Sequence, residues 1–213
     1  MEIYICGIDE LPKFIEQYKP THVLSLQREG EPTKIATEIV NSFGGIKHHV
    51  ENFDDVDSLD KEWYDSKSEK DRYVELTFPT KEHILNITSW LNSSLDLDSH
   101  GNLKDDNTLI VHCSAGVSRS TAMAFGITVY LTSKKKGKIL EIFESLTIHR
   151  PNHYMNTLIL KLWDDVLGTD LQALYKKWDE FIEGQIFTRE KSIELVREFI
   201  KKYKNGWDAD GEA

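Results

Sequence analysis

Cysteine is scarce in this chain: Cys6 and Cys113 are the two among 213 residues. Two thiols so far apart give no disulfide framework, and no group of Cys and His has the spacing of zinc ligands. Long apolar runs are missing as well. No stretch of eighteen apolar residues occurs, so no bilayer span is expected. The first twelve residues hold acidic Glu2, Asp9 and Glu10 around a short apolar run. A secretion signal has a basic flank and a longer apolar core, so the default expectation is a cytoplasmic protein. Positive charge is also in deficit, with 26 Lys and Arg against 36 Asp and Glu and a net charge of −10. Such a surface repels nucleic acid and anionic membranes, and neither is an expected partner. A single focused positive pocket remains compatible with it.

What is present suits an ordinary globular protein, with 39% apolar and 29% charged residues. Short apolar strands are predicted at residues 3–8, 22–26, 46–53 and 108–112. Between them lie helical patterns. Asp9 can cap a helix to about Tyr18. Ile35, Ile39 and Phe43 share a face of a helix stopped by Gly44-Gly45, and Thr80 can cap one with Ile84, Ile87, Leu91 and Leu95 on its apolar side. Further helices are expected over 118–133, 139–148 and 156–167. Strands alternating with helices predict an α/β fold, a central mostly parallel sheet of about four or five strands flanked by helices. Residues 55–76 are charged and irregular and read as a long loop or insertion. Beyond Gly168 the chain reads as extra C-terminal helices, with Thr188 capping a segment that ends at Asn205-Gly206. The expected division is a domain over 1–168 and a helical extension over 169–213, with 208–213 frayed.

The chemistry concentrates in His112-Cys113-Ser114-Ala115-Gly116-Val117-Ser118-Arg119-Ser120-Thr121. An apolar strand precedes this string and a helix follows it. A strand, tight loop and helix N-terminus aim consecutive backbone N–H groups into one concavity, which suits a phosphate dianion. Gly116 permits a positive φ or a close backbone approach. Ser114 and Ala115 are small enough to leave the bowl open. Arg119 can fold back and set its planar fork on two phosphate oxygens. The same field acts on Cys113: a free thiol titrates near about 8.5, and helix N-termini and cations favour its nucleophilic thiolate. Ser120 can donate a hydroxyl hydrogen bond to that sulfur. His112 is expected to fix the loop through its ring nitrogens rather than to act as a base.

This string resembles the signature loop of the protein tyrosine phosphatase superfamily, in its dual-specificity branch. His112, Cys113, Gly116, Arg119 and Ser120 carry the match, and Ser114, Ala115, Val117 and Ser118 are typical of the branch. The resemblance extends more weakly over about 1–168, through residues 78–83 and 150–156. It implies a tyrosine-phosphatase-like fold, a phosphocysteine intermediate and no metal or other cofactor. It also implies a general acid on a loop after an earlier strand, where Asp54, Asp55 and Asp57 are the candidates. Asp55 is favoured because similar sequences follow the acid with an aliphatic residue, here Val56; Asp54 is the alternative. Asn156 resembles an asparagine that hydrogen-bonds the signature loop, although Met155 stands where many relatives have proline. The expected substrate is a phosphorylated protein, phosphotyrosine first and phosphoserine or phosphothreonine as well. The alternatives are a phosphatase for phosphoinositides or the RNA 5′ end, and a phosphate-binding module without catalysis.

Other features suggest less. Cys6 reads as filler of a core strand, with a resolving thiol as the alternative. His48-His49 are adjacent in a strand and point to opposite faces, against a metal role. Lys134 to Lys136 read as a solvated helix end. Trp63, Tyr64 and Tyr73 either rim the site, stacking on a substrate ring, or pack within their own loop.

Overall fold

A computed structural model describes residues 1–28, 33–67, 75–96, 104, 106–132, 136–185 and 189–208. Four strands form one sheet: β1 (Glu2–Gly7), β2 (His22–Gln27), β3 (Lys47–Asn52) and β4 (Thr108–Cys113). Their order is β1-β4-β2-β3 and every pairing is parallel. The last strand in the chain therefore sits in the middle, and Cys113 leaves the sheet between β1 and β2. Parallel strands need crossovers, which are supplied here by α1 (Leu11–Tyr18), α2 (Thr33–Phe43), α3 (Ser58–Asp65) and α4 (Lys81–Ser94). After β4 the chain is helical: α5 (Arg119–Leu131), α6 (Lys136–His149), α7 (Thr157–Leu167), α8 (Leu171–Ile182) and α9 (Arg189–Asp208).

Strand alternation sends side chains to two cores. Cys6, Val23 and Ile110 join Leu11, Ile15 and Val40 beneath α1 and α2. Leu24, Leu26, Leu109 and Val111 join the larger core with the helices that follow. The centre of that larger core is α5, buried on nearly every side from Arg119 to Val129. Gly126 makes this packing possible. A Cβ there would lie 2.2 Å from the Trp163 indole, so the cost of a mid-helix glycine is offset by seating a fully buried Trp. Leu171, Leu174, Tyr175 and Trp178 of α8, with Leu195, Val196 and Phe199 of α9, belong to the same cluster. Residues after Gly168 thus share the core of the residues before it.

Three expectations are corrected. The segment read as a loop over 55–76 contains α3, whose first turn is closed by Lys61 N–H on Asp57 O (3.0 Å). Its charged composition hid a helix supported by the i,i+4 pair Lys61–Asp65 and by Tyr64 against Phe78, ring centroids 5.1 Å apart. Asp9 is not the cap of α1. It sits in a 3-10 turn, Ile8–Glu10, and Gly7 N–H donates instead to Glu10 Oε2 (2.9 Å). Finally, α9 runs through Asn205-Gly206 to Asp208, since one glycine costs a helix only about 1 kcal/mol. Tyr73, Lys134, Lys135, Thr188, 97–103 and 209–213 lie outside the described residues.

Burial makes two histidines report on stability. The rings of His112 and His153 are each pushed down to about 4, chiefly by burial. Both are neutral in the fold at neutral pH, whereas the unfolded chain takes protons near about 6.5. Stability is therefore complete above that value, falls as pH drops toward 4, and levels off below. Each group contributes up to about 3 kcal/mol of the loss. Urea unfolding of wild type and His153→Phe at pH 7 and pH 4.5 checks this: the variant should lose less stability on acidification, and equal losses would contradict it.

Candidate active site

Cys113 ends β4, α5 begins at Arg119, and the residues between them turn tightly over the C-terminal edge of the sheet. Gly116 has φ +73°. Its missing side chain matters as much as its φ: a Cβ would lie 2.4 Å from Cys6 C and Gly7 N. The loop thus rests directly on the end of β1, where Ile8 N–H also donates to Ser114 O (3.1 Å). This contact turns Gly116 N–H onto Cys113 Sγ at 3.3 Å, with Ser120 Oγ on the same sulfur at 3.3 Å. Cys113 is 2% exposed, at the floor of the loop below exposed Ser114 and Ala115, while Val117 and Ser118 are half-buried. An amide N–H and a hydroxyl thus meet at one sulfur.

Arg119 is buried and bridges two segments. Its Nη1 donates to Phe53 O (3.0 Å) and its Nη2 to Ser114 Oγ (3.0 Å), while its Nε lies 3.7 Å from Asp55 Oδ2. The guanidinium therefore spans the bowl and ties it to the residues after β3.

There the two aspartates part. Asp54 is buried and turned away: its Oδ2 accepts Thr77 N–H (2.8 Å) and its Oδ1 pairs with Arg28 Nε (2.7 Å). Asp55 faces the loop. Its Oδ1 accepts Ser118 Oγ–H (2.7 Å) and Asn156 Nδ2–H (3.0 Å), and its side chain is 37% exposed. Asp57 serves α3 through its carbonyl.

The brace assigned to Asn156 by resemblance takes a different form. Its amide donates to Asp55 Oδ1 and to Val56 O (2.9 Å), and its Oδ1 caps α7 by accepting Ile159 N–H (3.0 Å). Its hydrogen bonds hold the Asp55 segment, which in turn meets the loop at Ser118. The neighbouring Met155 is also accounted for. Its N–H donates to Tyr175 Oη (3.0 Å) from α8, a bond that proline lacks the hydrogen to make.

His112 is held from the opposite side of the sheet. Ser25 Oγ lies 2.6 Å from His112 Nε2 and 2.7 Å from His48 Nε2. A hydroxyl has one proton, so at least one imidazole donates in this bridge. His48 points to this face, while His49 reaches Glu51 Oε1 (2.8 Å) and stacks on Trp90. The two cysteines are likewise on opposite faces, and burial pushes the Cys6 thiol up to about 12. Tyr64 packs on Phe78, whereas Trp63 is 60% exposed with Lys67 over its ring. Among the described residues no group of three His, Cys, Asp or Glu can hold a metal ion, and no helix is long and apolar enough to cross a membrane.

No protein-family model matches the chain, and no curated protein matches it in sequence. Solved structures are similar to it in fold. The human tyrosine phosphatase-like serine/threonine/tyrosine-interacting protein has a TM-score of 0.50 at 13% identity, over 82% of this chain and 93% of that one. This chain has the tyrosine-phosphatase fold. The Yvh1 phosphatase domain from Chaetomium thermophilum is similar at a TM-score of 0.49 and 16% identity, over 82% of this chain and 90% of that one. PTPMT1 in complex with PI(5)P gives a TM-score of 0.47 at 12% identity, over 81% and 93%. At these identities the likeness is one of fold. Within the tyrosine-phosphatase fold, Ser25, His48, Phe53, Thr77 and Tyr175 hold the loop or the residues that flank it through contacts between distant parts of the chain, and no local motif marks any of them.

The different surroundings of the two aspartates have a measurable consequence. Asp54→Ala leaves Thr77 N–H without its side-chain acceptor and breaks the Arg28 pair, and should cost about 1–3 kcal/mol in urea unfolding. Asp55→Ala, from a half-exposed site, should cost less. The reverse order would contradict the assignment.

Proposed function

We propose that this protein is a cysteine-dependent phosphomonoester hydrolase that acts on phosphorylated proteins, on phosphotyrosine first and on phosphoserine or phosphothreonine as well. One observation carries the reading. Cys113 Sγ receives Gly116 N–H and lies beside Ser120 Oγ, while Asp55 stands over the same loop at Ser118 and Arg119 spans the two.

In this reading the loop amides from Ser114 to Arg119 and the Arg119 guanidinium hold the phosphoryl oxygens. The Cys113 thiolate attacks phosphorus as the ester P–O bond breaks. The leaving oxygen takes a proton from Asp55. Ser118 and Asn156 donate to Oδ1 and Arg119 Nε lies 3.7 Å from Oδ2, and these three groups hold the carboxyl over the loop. Water then loses a proton to Asp55 and attacks the phosphocysteine. The S–P bond breaks, and Ser120 Oγ stabilises the departing thiolate. Catalysis is positioning plus electrostatic stabilisation of a loose transition state. No resident metal or other cofactor takes part in this scheme.

The loop interior supports a singly phosphorylated substrate over a phosphoinositide or an RNA end. Ser114, Ala115, Gly116, Val117 and Ser118 bring no Lys or Arg to meet further negative charge. An acceptor-rich acid poised over a cysteine also supports hydrolysis over binding alone. p-Nitrophenyl phosphate should be hydrolysed without added divalent ions, with inhibition by vanadate and complete loss in Cys113→Ser. Asp55→Asn should lower kcat on phosphotyrosine peptide by about 10²–10⁴, with Asp54→Asn retaining most activity. A requirement for a divalent ion, or activity surviving in Cys113→Ser, would overturn the reading.

A further inference from the structure

The general-acid segment is not held by its own neighbours in sequence. Asn156 anchors it, through Asp55 Oδ1 and Val56 O. Asn156 is itself gripped on both sides by α8. Tyr175 Oη accepts the N–H of Met155, one residue before it, and Gln172 Nε2 donates to Thr157 O, one residue after it (3.0 Å each). The helix that supplies both groups is firmly seated. Leu171, Leu174 and Trp178 are buried in the main core. Asp164 of α7 caps the start of α8, its Oδ1 accepting Leu171 N–H (2.6 Å) and its Oδ2 accepting Gln172 N–H (2.9 Å).

We infer that α8 is part of the catalytic apparatus, with Tyr175 and Gln172 as positioning residues that set Asn156 and, through it, the proton-bearing Asp55. The inference rests on the reading of Asp55 as general acid. Its physical basis is the burial at this point. Met155 and Asn156 are 0% and 1% exposed. Without the Tyr175 hydroxyl, the buried Met155 N–H loses its acceptor, and an unmade hydrogen bond at a buried site is expensive. The backbone shifts to relieve it, and Asn156 shifts with it. A misplacement of well under an ångström at a hydrogen-bonded acid is enough to slow proton transfer. Tyr175 itself hydrogen-bonds neither the loop nor Asp55; the neighbouring Tyr154 N–H reaches the loop at Val117 O (3.1 Å), so KM is read beside kcat and should stay within about threefold of wild type.

Two features make this testable apart from simple damage to the fold. A general acid matters most where the leaving group is basic, and little where it departs readily as an anion. Also, a residue without an N–H at 155 needs no partner. In Tyr175→Phe, kcat on a phosphotyrosine peptide should fall about tenfold, while kcat on p-nitrophenyl phosphate stays within about twofold of wild type. Adding Met155→Pro to Tyr175→Phe should restore the peptide rate to within about threefold, because the orphaned donor is removed. Gln172→Ala should show a smaller effect with the same leaving-group dependence. Asp55→Asn serves as the reference. If it lowers the peptide rate selectively but Tyr175→Phe slows both substrates equally or neither, the role given to α8 is wrong. If Asp55→Asn itself shows no selectivity, the general-acid reading beneath it fails. A double variant no faster than Tyr175→Phe on the peptide would also overturn the inference.

Discussion

The N–H of Gly116 points at the sulfur of Cys113, and the surrounding structure is arranged to keep it there. An amide turns inward at that point because the loop presses onto the end of β1, where a side chain on residue 116 has no room. The parallel sheet places β4 between β1 and β2, so the cysteine emerges with a strand on either side. One neighbour supports the loop from below through Gly7 and Ile8, and the other supplies Ser25, which holds His112 one residue before Cys113. A buried, neutral His112 adds no charge of its own beneath the sulfur, and local positive potential comes from Arg119 and the start of α5.

The other half of the site is assembled from greater distance. Asp55 follows β3, Asn156 precedes α7, and Tyr175 and Gln172 stand on α8. Arg119 closes the set by bonding Phe53 O on one side and Ser114 on the other. The bowl and the carboxylate are therefore parts of one hydrogen-bonded frame. Asp54 belongs to that frame in a different way, by pinning the segment to Thr77 and Arg28 so that the next residue faces inward.

Much of this was legible in the sequence, for physical reasons. Strand-length apolar runs and helical periodicity identify the α/β alternation, and a Cys and an Arg flanking a Gly between strand and helix single out the loop in which Gly116 N–H meets Cys113 Sγ. The resemblance favoured Asp55 over Asp54 for the Val56 that follows it, and the fold shows their different partners, since Asp54 meets Thr77 N–H. The helix at Ser58–Asp65 was hidden by its charge. The parts that were not legible are long-range. Ser25 and His48 look like ordinary strand residues, and Met155 looked like a departure from a proline. Only the fold shows that its N–H has a use, since Tyr175 lies twenty residues away. Helices α8 and α9 read as an appendage because their apolar faces do not reveal which core they join.

The central proposal is that the loop is an oxyanion receptor built around Cys113 Sγ at its floor. A crystal structure of the protein with tungstate tests this directly. The account predicts the anion inside the loop, bonded by the backbone N–H groups of residues 114–119 and by two nitrogens of Arg119, with Cys113 Sγ directly beneath it. An empty loop at saturating tungstate with Cys113 unmodified, or an anion held elsewhere while Arg119 keeps its bonds to Phe53 and Ser114, would contradict it.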